Sequence, residues 1–450
     1  MFIKSCGKNK DKKYTLIQMY VVDGRIAFRH GETKVMGAFE QLRDWPDSTI
    51  FRSDTTFHSH HGAPIVRPIA ITSRKRFGQI FSDFFHWGDR CQVEKPNKIS
   101  AKVMLELHRE GSTQRITKAV ARWKKSKPKL DHDQLLWLAV RTNSSTMSIT
   151  QFPAHVAKSL ADLGQCRKVL DFSGGWGDRL TGFLASRHIR DITVIEPRQS
   201  ACIHYRSQHQ LSGETTKKLT ILQGPAQKRL DDVDPGTCDL ILTSPPYLNL
   251  EIYDKGNPEQ VHSFCDNSSD YLHKFLFPCL EKSLRALSCS GLLALNIDNN
   301  TREGVVICQP VLDFMKTRAS FVGTMGLLKQ QGGNMTNGAR QNTGLRAEPV
   351  YMWCRKEALS KWVKAFENLP FDKSLKGNTK NNDDLSRFLS KAGLNSHRDG
   401  FNRLGVESLA QLRHKSRQQR QELLDELHVE TSLQPAILDL HTQGSTIHTL

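Results

Sequence analysis

The 450-residue chain has no CxxC pair among its ten cysteines, no apolar run of membrane-spanning length, and no GK[ST] behind a glycine turn. Scattered cysteines such as Cys91, Cys166, Cys238 and Cys354 exclude a disulfide framework and a structural zinc site. They imply free thiols in a reducing compartment, and no metal is expected. The missing apolar run excludes a spanning helix, so no membrane partner is expected. The opening residues, MFIKSCGKNKDKK, lack the apolar core of a secretory signal, so the protein is not expected to be secreted. Acidic residues are also scarce: 46 Asp and Glu stand against 64 Lys and Arg, a formal net charge of +18. An excess of that sign in a chain 38% hydrophobic and 24% charged points to a soluble protein with a polyanionic partner, most often nucleic acid.

The basic charge is concentrated. Residues 101–130 carry nine Lys or Arg against two Glu, so they form either a phosphate-contacting surface or a solvated helix face. Residues 1–145 read as a mixed α/β, basic N-terminal region that matches no fold pattern. Within it, Asp23-Gly24 sits between two β-prone runs and signals a hairpin. His58, His60 and His61 in FHSHHGAP read as an exposed loop, because no second ligand cluster follows at a metal-site spacing.

From about residue 150 to 356 short apolar strands alternate with helical patterns. The expected strands are 167–172, 191–196, 218–224, 238–244 and 291–298, closed by SFVGTMGLL and EPVYMWCRK. That alternation is the mark of an α/β fold, a mostly parallel sheet covered on both faces. The polar stretch 372–384 reads as a linker, and beyond it short amphipathic blocks describe a small all-α domain over 383–442.

Two places on the sheet carry chemistry. VLDFSGGWGDRL (169–180) is strand, glycine turn and helix. Gly174, Gly175 and Gly177 let the backbone approach a ligand closely, and Asp171 ends the strand. Leu180 replaces the third glycine of the dinucleotide pattern, so the turn suits a nucleoside better than a nucleotide. Glu196 ends the next strand, where a carboxylate can take both hydroxyls of a ribose. The second place is TSPPY, in which Ser244, Pro245, Pro246 and Tyr247 close an apolar strand. Prolines have no N–H, so carbonyl and hydroxyl acceptors dominate there. Such a cradle suits an amino group, and Tyr247 offers a face on which a base can stack.

Together, Asp171-Phe172-Ser173-Gly174-Gly175-Trp176-Gly177 and Ser244-Pro245-Pro246-Tyr247 resemble the amino-group DNA methyltransferases, the N4-cytosine/N6-adenine class. TSPPYLNLEIY is similar to a branch with an extended SPPYxxLExY form, and EPVYMWCRK to the usual last strand. The resemblance covers about 150–356, within an expected methyltransferase domain of 146–358. It implies a Rossmann-like S-adenosylmethionine-dependent methyltransferase sheet with S-adenosyl-L-methionine as cofactor. The cofactor would be held by Phe152 of the Phe-Pro segment, by Asp171, Phe172, Ser173, Gly174, Gly175 and Gly177, and by Glu196. It implies a catalytic Ser244, Pro245, Pro246 and Tyr247, and double-stranded DNA as partner, with the target base flipped out. The Ser form is commonest among N4-cytosine enzymes, so cytosine N4 is favoured over adenine N6. The cofactor segment precedes the tetrapeptide, which resembles the gamma arrangement, with target recognition outside the gap. Phe172-Ser173 stand where the family has Pro-Phe, and Trp176 is bulky for such a turn. C5-cytosine chemistry would need a Pro-Cys nucleophile; Pro278-Cys279 falls in a helical apolar pattern and reads as core.

The tail resembles a sterile alpha motif domain through Leu385, Phe388, Leu389, Leu394, Phe401, Gly405-Val406, Leu409, Leu412, Leu424 and Leu427. That implies self-association or a protein partner. In a eukaryotic setting KKSKPK (124–129) would serve as a nuclear address; otherwise the chain is expected in the cytoplasm. Two other readings stay open: an RNA amino-methyltransferase, and a non-catalytic module that binds nucleic acid or oligomerises.

Overall fold

The computed structural model describes residues 18–371 and 385–438, except 23–24, 30, 46–47, 53–56, 60, 74–76, 95–97, 131, 144, 147–150, 249–251, 300–304, 329–344, 372, 386–387, 390–391, 395–396, 398–400, 402–403, 405, 407–411 and 413–416. The chain forms two compact units, one of residues 1–331 with 346–372, the other of 332–345 with 373–450.

The larger unit runs β1 (Gln18–Val22), β2 (Arg25–Arg29), α1 (Glu32–Asp44), β3 (Ile50–Arg52), β4 (Phe57–His58), β5 (Pro68–Thr72) and α2 (Gln79–Arg90). Three more helices follow: α3 (Ala101–Arg109), α4 (Gln114–Ser126) and α5 (His132–Arg141). Next come α6 (Ala154–Leu163), β6 (Lys168–Asp171), α7 (Asp178–Ala185), β7 (Asp191–Glu196), α8 (Gln199–Ser212), β8 (Lys218–Gln223), α9 (Ala226–Arg229) and β9 (Cys238–Thr243). The unit closes with α10 (Ser268–Asp270), α11 (Phe277–Ala286), β10 (Leu287–Asn296), α12 (Cys308–Lys316), β11 (Ser320–Leu328), β12 (Leu345–Cys354) and α13 (Leu359–Glu367).

One sheet of ten strands organises this unit, in the order β3-β5-β11-β12-β10-β9-β6-β7-β8, with β4 beside β12. Strands β10, β9, β6, β7 and β8 are mutually parallel, and β12 runs antiparallel between β10 and β11. This is a mostly parallel, Rossmann-like sheet, the fold class expected from the sequence. The strands are apolar on both faces because both faces are covered. Val169, Leu240, Leu242, Leu292 and Ala294 enter one core; Leu170, Ile241, Leu293 and Leu295 enter the other. Successive side chains point to opposite faces, so a single run such as LIL (240–242) feeds both cores. Burying one such side chain contributes about 1.5–3 kcal/mol, and Leu242→Ala would cost about 2–5 kcal/mol.

Among the described residues of 18–145, strands β3, β4 and β5 share a sheet with 146–358. Strand β5 lies parallel to β11, and β3 pairs with β5, so the N-terminal region extends the same sheet. An open sheet edge at β11 is thereby covered, which removes a template for aggregation. Strands β1 and β2 pair antiparallel with Val22 opposite Arg25; Asp23-Gly24 between them lie outside the described residues. Residues Tyr271–Leu276 take the π form just ahead of α11. Pro278 has no N–H to complete an i→i−4 bond, which accounts for the wider turn.

The smaller unit has its own core of Leu385, Leu389, Leu394, Phe401, Val406, Leu412, Leu423, Leu424, Val429 and Ile437. Gly393 is left-handed (φ 74°), and Leu394 N donates to Leu389 O at 2.7 Å, which closes a helix end. Buried Arg420, on α14 (Arg417–Glu426), donates from Nη1 to Ile437 O (3.2 Å) and Leu438 O (3.0 Å). It thereby caps the short α15 (Pro435–Leu438). Gly405 and Leu409, singled out in the sequence, lie outside the described residues, as do 329–344 of the polar loop and 372–384 of the linker. Among the described residues no helix is long and apolar enough to cross a membrane.

Candidate active site

Strands β6 and β9 are parallel neighbours in register, with Val169 opposite Leu240 and Leu170 opposite Ile241. Asp171 and Thr243 therefore end at the same edge, and the glycine turn and the Ser-Pro-Pro-Tyr segment leave it side by side. Strand β7 lies on the other side of β6 and brings Glu196 to that edge. Carboxyl edges of parallel sheets are where such folds bind ligands.

The glycine turn is held by side chains at its base. Arg179 Nε donates to Asp171 Oδ2 at 2.8 Å and its Nη2 to Asp171 Oδ1 at 3.2 Å; Nη2 also reaches Ser173 O. Ser173 N donates to Asp171 Oδ1 at 3.1 Å. The Phe152 ring lies under the same guanidinium, 5.4 Å from its carbon. Gly174 has no room for a side chain: a Cβ there would meet Val194 Cγ1 at 2.4 Å and the Tyr205 hydroxyl at 2.6 Å. Gly175 has φ 58°, and a Cβ on it would find nothing nearer than 3.6 Å. The open side of the turn is therefore at Gly175. Phe172 is buried in the sheet core, so only its backbone faces the turn.

Glu196 is buried and accepts four hydrogen bonds. Gly175 N (3.0 Å) and Tyr205 Oη (3.4 Å) donate to Oε2, the Tyr205 proton being shared with the nearer Gly175 O (2.7 Å); Arg198 N (3.2 Å) and Arg198 Nε (2.8 Å) donate to Oε1. Arg198 also donates from Nη2 to Gly175 O at 2.8 Å and lies 4.3 Å above the Trp176 ring. Its protonated form is held firmly by the Glu196 carboxylate against the cost of burial.

On the neighbouring strand Pro245 is buried, while Ser244, Pro246 and Tyr247 are half-buried. Ser244 Oγ makes no hydrogen bond to a described residue, and the buried Thr243 Oγ1 beside it has no partner among them. Tyr247 is fixed at its hydroxyl, which donates to Glu348 Oε1 (3.2 Å) and accepts from Asp298 N (2.9 Å). Burial, with Glu348 and Asp298 nearby, pushes its pKa well above the usual phenol, so the hydroxyl stays a donor. The two halves of the edge touch: Trp176 of the glycine turn and Tyr253 lie 5.6 Å apart, six residues past Tyr247.

Several contributors were not legible in the sequence. Ser59 Oγ donates to Asp298 Oδ1 (2.6 Å) and accepts from His61 N (2.9 Å) and Ala63 N (3.1 Å). Asn299 Nδ2 donates to Gly62 O at 3.2 Å. The histidine loop is thus tethered beside Tyr247, although His58 itself is exposed; His60 lies outside the described residues. Helix α2 buttresses the glycine turn from behind. Ser82 bonds Asp178, the first residue of α7, and Gln151 Nε2 reaches Asp178 Oδ1 at 3.0 Å. His86 Nε2 lies 3.2 Å from Gln208 Oε1, and Gln208 Nε2 donates to Gly177 O at 3.0 Å. These pairs span tens to hundreds of residues, so no local signal announces them. Among the described residues no group of His, Cys, Asp or Glu could hold a metal ion.

No family model matches the chain, and no curated protein sequence matches it. Among solved structures, a methyltransferase from Geobacter sulfurreducens is 14% identical over 58% of this chain and 99% of its own, with a TM-score of 0.29. A rRNA methylase from Streptococcus thermophilus is 15% identical over 46% and 99%, with a TM-score of 0.26. Precorrin-6y C5,15-methyltransferase from Geobacter metallireducens is 13% identical over 44% and 85%, with a TM-score of 0.27. At these values the likeness carries nothing about activity, and the fold rests on its own strand order.

Proposed function

We propose that this chain is an S-adenosylmethionine-dependent methyltransferase acting on an exocyclic amino group of a DNA base, cytosine N4 before adenine N6. The supporting observation is the shared edge of β6 and β9, which sets the open Gly175 turn beside the acceptor-rich Ser244–Tyr247 segment. The residues fit the cofactor through donor exchange at Glu196. Two of its four donors are backbone amides and belong to the fold; the other two, Arg198 Nε and Tyr205 Oη, are side chains. A ribose diol offers two O–H donors where those side chains now supply one N–H and one O–H.

S-adenosylmethionine, when bound, supplies an electrophilic methyl group on a sulfonium. Ser244 Oγ and the Pro245 carbonyl accept hydrogen bonds from the target –NH₂. They draw its protons aside, so the nitrogen lone pair localises and points out of the cradle. Tyr247, fixed by Glu348 and Asp298, holds the flipped base by stacking, worth about 1–3 kcal/mol. With the cofactor bound, the nitrogen would take its methyl group as the sulfur–carbon bond breaks, and the amine's proton would pass to solvent. No covalent enzyme–base adduct is needed. Cys279, the thiol of the Pro-Cys pair, is fully buried in α11, and burial pushes its pKa far above the ordinary thiol.

The test is incubation of purified protein with labelled cofactor and DNA, followed by mass spectrometry of the nucleosides. N4-methylcytosine or N6-methyladenine is expected. A folded protein that binds the cofactor yet methylates only RNA in a mixed-substrate competition moves the substrate to RNA. No detectable binding of S-adenosylhomocysteine by calorimetry moves the chain to the non-catalytic reading.

A further inference from the structure

Helices α3, α4 and α5 pack around a small core of their own, formed by Cys91, Ala101, Met104, Leu105, Ile116, Ala139 and Val140. In α4 the inward face is Ile116, Ala119, Val120 and Trp123, at helical spacing. Arg115, Lys118, Arg122 and Lys125 recur at i, i+3, i+7 and i+10, which aligns them in one stripe away from that face. All four are exposed, and none has a carboxylate partner among the described residues. No acidic residue occurs between Glu110 and Asp131. A purely solvating face normally mixes both signs; this one carries positive charge alone.

The helical trio is pinned to the candidate active site at two points. The segment after α2 pairs with the chain just past Tyr247: Ile252 N donates to Glu94 O at 2.9 Å, and Glu94 N to Ile252 O at 3.3 Å. Helix α2 itself reaches from the trio's core, at Trp87 and Cys91, to Asp178 behind the glycine turn, through Ser82.

We infer that the α4 stripe is the surface by which the protein grips the backbone of duplex DNA beside the target base. From Arg115 to Lys125 the helix rises about 15 Å. Over that length one strand of a duplex presents roughly four phosphates. The stripe carries no exposed aromatic ring, since Trp123 is turned into the core and only brushes Arg122 (5.9 Å). Single-strand binders interleave basic residues with stacking rings, so a ring-free stripe suits a duplex backbone better. Contacts of this kind fix position and carry no sequence information.

The inference rests on the DNA reading of the site, but its test fails separately from it, because duplex binding is measured without methyl transfer. The full-length chain and its Arg115→Gln/Lys118→Gln/Arg122→Gln/Lys125→Gln variant are titrated into a labelled duplex of about 30 base pairs, roughly three helical turns, by fluorescence anisotropy over a series of salt concentrations. The variant is expected to bind about 10- to 100-fold more weakly near 0.1 M salt. The slope of log affinity against log salt should shrink by about three to four. Since all four side chains are exposed, its thermal melt should match wild type. A Lys-only version, Arg115→Lys/Arg122→Lys, should keep most of the affinity and slope. Wild-type affinity and slope in the neutral variant would overturn the inference. So would a wild-type protein that ignores the duplex at low salt, or a loss confined to single-stranded RNA.

Discussion

Arg198 and Glu196 form a buried ion pair at 2.8 Å, two residues apart at the carboxyl end of β7. The pair occupies the carboxylate that the proposed cofactor's ribose would use. If the ribose takes over from Arg198 Nε and Tyr205 Oη, a carboxamide cannot serve, because it carries only one accepting oxygen. Glu196→Gln should therefore weaken S-adenosylhomocysteine binding at least about tenfold, near 1.4 kcal/mol. It should also destabilise the fold by roughly 3–5 kcal/mol, since buried Arg198 loses its countercharge. Calorimetry well below the melting temperature separates the two effects. A variant that melts early but binds the ligand as well as wild type would remove Glu196 from the cofactor site.

Tyr247 joins two roles that substitution can divide. Tyr247→Phe keeps the stacking face but strands Asp298 N and Glu348 Oε1, both of which meet the hydroxyl. A lost hydrogen bond to a charged group costs about 1.5–3 kcal/mol, so single-turnover methyl transfer should slow about 10- to 100-fold with cofactor affinity unchanged. Tyr247→Ala removes the ring as well and should weaken binding of the base by a further 1–3 kcal/mol or so. Equal rates for Phe and Ala would show that the hydroxyl alone matters, contrary to the stacking proposal.

The strands that carry the site were readable because their apolar runs are short, continuous and bounded by turn residues. Residues 191–196 and 320–328 match β7 and β11 residue for residue, and 238–244 overshoots β9 by one. Strand β10 begins earlier than 291, at Leu287, because its pairing with β9 shifts register between Leu287 and Leu292. The N-terminal region was not readable, since its role depends on partners far away. Ser82 finds Asp178 across 96 residues, and Ser59 finds Asp298 across 239. Neither pair has a periodicity or spacing to betray it. The filling of Glu196 by Arg198 was equally hidden: the sequence shows a carboxylate at a strand end, but not which donors the fold aims at it.

Asp178 makes the glycine turn sensitive to pH. Burial raises its carboxyl from 3.8 to about 7; Asp83 adds to the rise, while Arg90, Ser82 and Arg179 oppose it. Between those values the folded protein holds a proton that the unfolded chain has lost. The contribution to stability is thus complete below about pH 4 and disappears as pH rises through about 7. Asp178→Asn imitates the protonated form and should abolish this dependence. Comparing denaturant midpoints at about pH 5 and about pH 8, wild type should lose roughly 2–4 kcal/mol more than the variant. If the two proteins change in parallel, the carboxyl is not protonated in the fold.

Cys279 separates amino-group transfer from the covalent route to cytosine C5. That route needs a thiolate beside the base, and Cys279 is 0% exposed, packed in the core below the sheet. Its raised pKa removes the thiolate near neutral pH. Cys279→Ala deletes only a small apolar group, so methyl transfer should persist at close to the wild-type rate. Stability should fall by about 1 kcal/mol from the space left behind. A duplex carrying 5-fluorocytosine, which traps C5 enzymes as a covalent complex, should leave wild type free on a denaturing gel. Trapped protein that vanishes in Cys279→Ala would mean that the thiol reaches the base, and the acceptor cradle at Ser244 would then lose its purpose.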